Sequence, residues 1–280
     1  MQKKDGFVSI IKGFITGIAS LVPGVSPSSC IVSFSSYENF IKGLSSVLKK
    51  EKNKETKQEN KKILLLVTIP IIIGIIIGLI AGNHLIEYFL GKYRPQTIFL
   101  FVGVITGGLT LTIKKNKSKK LKTTIPIFLI TLVISFVIYF ILSKQKITIP
   151  TIILPTVSGL LTAIIILIPS ISLSYIYSLL DRYNYIVSSA LSLSNIKDVL
   201  VVLTFIVVLI LSLILIAKLI SYLLKKHKEV CYSVICALMI LSIVVMILKV
   251  GRFTISFVNI FTTILAFLWG YLLAKNVEKE

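Results

Sequence analysis

Residues 21–30 read LVPGVSPSSC, and residues 168–175 read IPSISLSY. Each sets Pro and a cluster of Ser inside an apolar run, and the fold turns on why the chain does this twice. The surroundings narrow the answer. The chain has 280 residues, 55% of them hydrophobic, with a formal net charge of +20 and only two His. Runs such as IFLITLVISFVIYFIL (127–142) and VLVVLTFIVVLILSLILIAKLI (199–220) approach or reach the roughly 20 residues that cross a bilayer core. They lack the alternating polar face of a soluble helix or strand. Several such runs between lysine-rich stretches predict an all-α polytopic membrane protein.

Most of the Lys lies between apolar segments. The positive balance therefore fits a positive-inside bias and attraction to anionic membrane lipids, and no nucleic-acid partner is implied. The first apolar run starts near Phe7 with no small-residue cleavage site to suit it, so no cleaved signal peptide is expected. Cys30, Cys231 and Cys236 lie in apolar segments without His partners and imply neither a disulfide framework nor a metal site.

Helical spans are predicted at 63–90, 95–113, 123–142, 199–224, 230–248 and 254–274. The charged stretch LKKEKNKETKQENKK (48–62) reads as a solvated loop without structure. With Pro23 placed over Pro169, Gly13 falls on Gly159, Ser26 on Ser172, Ser28 on Ser174 and Tyr37 on Tyr183. Downstream, EYFLGKYR (87–94) matches SYLLKKHK (221–228) once the first copy is allowed a longer linker. Shared Ile/Leu/Ser composition is the competing explanation, but the common Pro-x-x-Ser-x-Ser-x(8)-Tyr framework favours an internal repeat. The division is then 1–142, with a re-entrant segment at 7–48, and 143–280, with a re-entrant segment at 150–195.

Lysine placement selects the topology. If each Pro/Ser motif is the tip of a re-entrant hairpin, each half has three full crossings and the second half is inverted. Six crossings and two hairpins then put both termini and the lysine-rich stretches 49–62, 114–122 and 225–228 on the cytoplasmic side. If each broken segment crossed once, those first two stretches would face outward, against the bias.

Bare backbone at membrane depth must be covered or face water. Read as a helix start, SPSSC (26–30) has Ser26 as N-cap, Pro27 in the first position, and Ser28 and Ser29 in the first turn, with Gly24 allowing close approach. SISLSY (170–175) repeats this, with Ser170 leading in, Ser172 as cap, and Ser174 and Tyr175 in the first turn. Two opposed half-helix N-termini form an anion site without a buried cation. The other reading is two Pro/Ser kinks in ordinary helices. Glu38 and Arg182, beside Tyr37 and Tyr183, are candidate functional charges. Arg94 and Lys228, at matching repeat positions, either attract an acidic headgroup at each mouth or are solvated loop charges.

These segments resemble the bacterial polyprenyl-phosphate transporter family, which includes the PopT-type undecaprenyl-phosphate transporters. GFITGIASLVPGVS (13–26), YENFIKGL (37–44), KYRPQTIFLFVGVITGGL (92–109) and their second-half counterparts carry the resemblance. The family motifs read PGVSGGT and PGISGS. Here PGVSPSS and PSISLSY lack the glycines after the Ser, and the one after Pro169. The resemblance implies recycling of the undecaprenyl phosphate carrier of cell-envelope synthesis, from the outer to the inner leaflet of the bacterial cytoplasmic membrane. It carries over Pro23, Gly24, Val25, Ser26, Tyr37 and Glu38, together with Pro169, Ser172 and Tyr183.

The chemistry suits that task. A lipid that changes leaflet keeps its tail in the bilayer, so only its phosphate needs a polar passage, and hydroxyls with helix dipoles supply one cheaply. No cofactor is expected. Proton or sodium coupling is open, with Glu38 the candidate carboxylate. A transporter of a small soluble anion on the same scaffold is the alternative. An enzyme is not expected, because no apolar segment offers a nucleophile, base and cationic clamp together.

Overall fold

A computed structural model gives the fold and describes residues 3–48, 53–115, 121–142, 147–170, 172, 180, 183–192, 195–251 and 256–279. Among these residues the chain is helical, with no strand beyond one isolated bridge between Ile147 and Leu180. The helices are α1 (Lys3–Ser20), α2 (Pro27–Ser33), α3 (Tyr37–Ser46), α4 (Lys54–Ile63), α5 (Ile69–Lys92), α6 (Arg94–Lys115), α7 (Leu121–Leu142), α8 (Leu154–Leu167), α9 (Tyr183–Ser192), α10 (Ile196–Lys226), α11 (Lys228–Leu248) and α12 (Phe257–Lys279). Among the described residues six helical stretches are long and apolar enough to cross a membrane: Lys54–Lys92, Arg94–Lys115, Lys122–Ile141, Ile196–Lys226, Lys228–Leu248 and Phe257–Val277. Their outer faces expose Ile130, Val133, Leu203, Leu215 and Trp269. Water would not tolerate so continuous an apolar surface, whereas lipid does.

The expectation of a structureless loop over 48–62 is corrected from residue 53 onward. Asn53 Oδ1 accepts the N–H of Glu55 at 3.0 Å and caps α4. Glu55 in the first turn and Lys61 and Lys62 in the last complement the helix dipole. A single π-turn, Leu64–Thr68, joins α4 to α5, so the first apolar stretch is one helical run of 39 residues, longer than the roughly 20 a bilayer core requires. The Lys42–Glu59 ion pair at 2.7 Å ties α4 back to α3.

Small residues set how the helices approach. Gly74, Gly78 and Gly82 recur every fourth residue on α5, and their Cα atoms face Ile10, Phe14 and Ile18 of α1 so closely that no side chain fits. Gly13 of α1 lies against the Ile71 carbonyl, and Gly159 of α8 lies against the Phe205 carbonyl of α10. In membranes, where lipid removes the hydrophobic drive between helices, such close backbone packing supplies the attraction. The later helices pair crosswise: α6 packs along α12, and α11 packs along α7.

Two further contacts place the chain's early turns. Gly6, near the start of α1, lies beside Leu66, and Gly43 of α3 lies beside Thr68. At one end of the molecule, Lys115 closing α6 and Lys228 opening α11 line one pocket. At the other end, Arg94 Nε donates to the Lys249 carbonyl at 3.0 Å, so α6 and α11 run antiparallel.

Candidate functional site

The first quoted motif builds its tip from local rules. α1 ends at Ser20, and Leu21, Val22 and Val25 turn through backbone bonds to Ile18, Ala19 and Val22. Pro23 lies in this turn. Gly24 adopts φ +94° and presses against Met246 of α11, where a side chain would be both strained and without room. Ser26 is extended, and its Oγ accepts the Ser29 N–H at 3.2 Å, so it caps α2 with Pro27 in the first turn. Val25, Ser26, Ser28 and Ser29 are fully buried. The Ser26 hydroxyl lies 2.7 Å from that of Ser29 and 3.3 Å from that of Ser28.

The second motif meets this cluster directly. α8 ends at Leu167, Ile168 is extended, and Ser170 turns the chain with φ +86°. The Ser170 N–H donates to Ser26 Oγ at 3.1 Å and to Ser29 Oγ at 3.3 Å. Tyr37 Oη donates to the Leu167 carbonyl at 2.7 Å, and Ser29 Oγ lies 3.3 Å from Ser242 Oγ on α11. Polar groups from both motifs thus satisfy one another among Val22, Val25, Ile31 and Leu167, all buried. A buried polar group left unmatched costs about 1–3 kcal/mol. Among the described residues one group of the junction is left so: the Ser170 hydroxyl is buried with no hydrogen-bond partner there.

Tyr37 also connects the junction to a polar pocket of about 380 Å³, whose lining includes Ser35, Glu38, Thr112, Lys115, Lys228 and Tyr232. Lys228 Nζ lies 2.8 Å from Glu38 Oε1, and Tyr232 Oη donates to the same oxygen at 2.5 Å. Burial pushes the Glu38 carboxyl up, but the hydrogen bonds from Lys228 and Tyr232 outweigh it and hold the group below its ordinary value. The pocket is therefore a lysine-lined basin with an internal counter-ion.

The structure brings Ser26, Ser28, Ser29 and Ser170 into one junction and places Tyr37 at its edge. Pro23, Gly24, Val25 and Pro169 form the turns that deliver them. Glu38 lies in the pocket rather than at the junction, with Lys228 as its partner. Ser172 is buried. Ser174, Tyr175 and Arg182 lie outside the described residues, as does the side chain of Tyr183, whose backbone opens α9. Thr112, Lys115, Tyr232 and Ser242 were not singled out from sequence. Lys228 and Tyr232, four apart on one helix face, carried a usable signal. Among the described residues no group of three His, Cys, Asp or Glu could hold a metal ion.

A family profile described as "VCA0040-like: Undecaprenyl phosphate translocase-like" matches residues 16–273. No curated protein and no solved structure matches the chain.

Proposed function

The chain belongs to the undecaprenyl phosphate translocase-like family, and from that premise we propose that it returns undecaprenyl phosphate from the outer to the inner leaflet of the bacterial cytoplasmic membrane by alternating access. The phosphate passes the junction of the two motifs, and the long prenyl tail stays in lipid. The observation that carries this reading is the pair of bonds from Ser170 N–H to the hydroxyls of Ser26 and Ser29.

Those bonds suit a gate. The groups that satisfy one another when the tips touch are the groups a phosphate oxygen accepts from when they part. Opening for the substrate therefore exchanges partners rather than abandoning them, which keeps the buried-polar cost low. No cation needs to sit at mid-membrane, where one is expensive. In the adjoining pocket an arriving phosphate competes with Glu38 for Lys228, and Lys115 lines the same wall. Glu38 is the candidate for proton or sodium coupling, because losing Lys228 to phosphate removes one of the two partners that keep it ionised.

Several contacts support two inverted halves, 1–142 and 143–280. Gly24 and Ser170, the two left-handed residues beside the prolines, occupy matching positions. The Gly13–Ile71 and Gly159–Phe205 crossings match as well, Gly13 with Gly159 in the hairpin register and Ile71 with Phe205 in the downstream one. The crosswise pairing of α6 with α12 and α11 with α7 is what exchange of the last helix between halves produces. Contacts of Gly6 with Leu66 and of Gly43 with Thr68 support a first hairpin that returns to the side it entered. The gathering of Lys115 and Lys228 at one end supports a cytoplasmic assignment for that end.

A cell-based measurement tests the reading against transport of a soluble anion. Cells lacking the protein, with no parallel transporter, should accumulate surface-exposed polyprenyl phosphate. Unchanged surface levels, with a lost soluble-anion flux, would transfer the function to the alternative.

A further inference from the structure

We propose that Arg94, Lys249 and the apolar pocket beside them form a second polyprenyl-phosphate site, at the end of α6 and α11 opposite the Lys115–Lys228 pocket. The phosphate meets the two cations, and the isoprene units next to it lie between α6, α11 and α12. This deepens the translocase reading and rests on it.

The Arg94 guanidinium is set up for an anion, and Lys249 brings a second positive charge to the same helix end. Arg94 Nε donates to the Lys249 carbonyl at 3.0 Å, which holds the guanidinium over the last turn of α11. That bond also occupies a carbonyl that would otherwise repel a phosphate. Among the described residues neither Arg94 nor Lys249 is paired with a carboxylate. The spacing that carries Arg94 onto Lys228 also carries Lys115 onto Lys249, so this pair occupies the repeat positions of the pair that lines the polar pocket. The two ends differ in charge balance. Glu38 neutralises Lys228 at the first end, whereas the residue at its matching position is Asn184. A guanidinium held at Nε still offers its outer N–H groups to phosphate oxygens.

The apolar half of the site adjoins the charges. A pocket of about 450 Å³ is lined by Phe99, Ile247, Val250, Ile260, Thr263 and Ile264, within the range of small-ligand sites, about 300–1,000 Å³. Val250 follows Lys249 directly, and Phe99 lies about 7.5 Å further along α6 than Arg94 by helical rise. That places apolar lining at the depth of the first isoprene units when the phosphate rests on Arg94. Ile247, Ile260 and Ile264 are exposed, so the pocket opens sideways to the bilayer, as a lipid-borne substrate requires. A phosphomonoester carries up to two negative charges and a phosphodiester carries one. Two cations without acidic partners therefore favour the prenyl monophosphate over ordinary phospholipid, and a soluble anion would have no use for the apolar lining.

The test uses the full chain in lipid nanodiscs with undecaprenyl monophosphate carrying a diazirine on the isoprene unit nearest the phosphate. Cross-links should fall on α11 and α12 around Ile247, Ile260 and Ile264. Undecaprenyl monophosphate should compete for them, and undecaprenol and phosphatidylglycerol should compete about tenfold less well. R94A/K249A should lower labelling about tenfold or more, and Ile264→Trp, which fills the pocket, should abolish it even if the charge variant folds poorly. Labelling elsewhere, equal competition by phosphatidylglycerol, or labelling unaffected by both variants overturns the proposal. If vesicles exchange the lipid while the pocket stays unlabelled, this site falls and the translocase reading stands. Phosphate-selective labelling without exchange has the opposite meaning.

Discussion

Ser170 donates its backbone N–H to the Ser26 hydroxyl at 3.1 Å, joining two Pro/Ser turns that lie in different halves of the chain. The donor is itself a strained residue. Ser170 holds φ +86° without being glycine, and its hydroxyl is buried without a partner among the described residues. Ser170→Gly removes both penalties. The left-handed cost of about 1–2 kcal/mol outweighs glycine's added chain entropy of about 0.5–1 kcal/mol. We expect thermal unfolding in detergent to rise by about 2–4 °C; a lower midpoint would mean that the Ser170 side chain is held by something it gains in use.

Ser26 and Ser29 each accept from Ser170, and Ser26 also caps α2. Replacing both with Ala removes a cap worth about 1 kcal/mol and leaves the Ser170 N–H buried and unmatched at about 1–3 kcal/mol. Membrane insertion should persist while lipid transport falls steeply. Normal transport by the double variant removes the junction from the mechanism.

Much of this arrangement was legible in the sequence, and the rest was hidden for identifiable reasons. The six apolar spans follow from length and composition, and Ser26 as cap follows from Pro27 behind it. The helical 54–63 segment was missed because charge density was read as solvation, although Asn53 followed by Glu55 is a helix start. Ser242 and Lys115 carry no local signal because their roles depend on which helices meet: α6 beside α11 for Lys115, and α11 against α2 for Ser242. The glycine that the family motif has after Pro169 is replaced by Ser170, which takes the left-handed turn that glycine would take, at a cost.

Glu38 supplies a pH test. Its carboxyl is raised by burial but lowered further by Lys228 and Tyr232, and the net shift is downward from 4.5. The stabilisation is therefore complete above that ordinary value and is lost as pH falls through the lower folded value. The stability difference between wild type and Glu38→Gln should be flat from neutral pH to about 5 and shrink in stronger acid. A difference that vanishes near neutrality would mean the Lys228 pair is not formed in solution.

Both glycine crossings should respond, Gly13 more strongly because its approach to the facing backbone is the closer. Gly13→Ala and Gly159→Ala each push a methyl against a backbone carbonyl, of Ile71 and Phe205 respectively. Overpacking costs about 1–3 kcal/mol, so both variants should unfold several degrees earlier in detergent. Loss at one site alone would show that the other crossing bears no load.

The central claim is tested most directly in liposomes holding the purified protein, by following leaflet exchange of undecaprenyl phosphate beside that of its neutral alcohol. We predict fast exchange of the phosphate, no acceleration of the alcohol, and loss of the phosphate signal when Ser26 and Ser29 are both Ala. Exchange no faster than in protein-free vesicles, or equal acceleration of both lipids, contradicts the account.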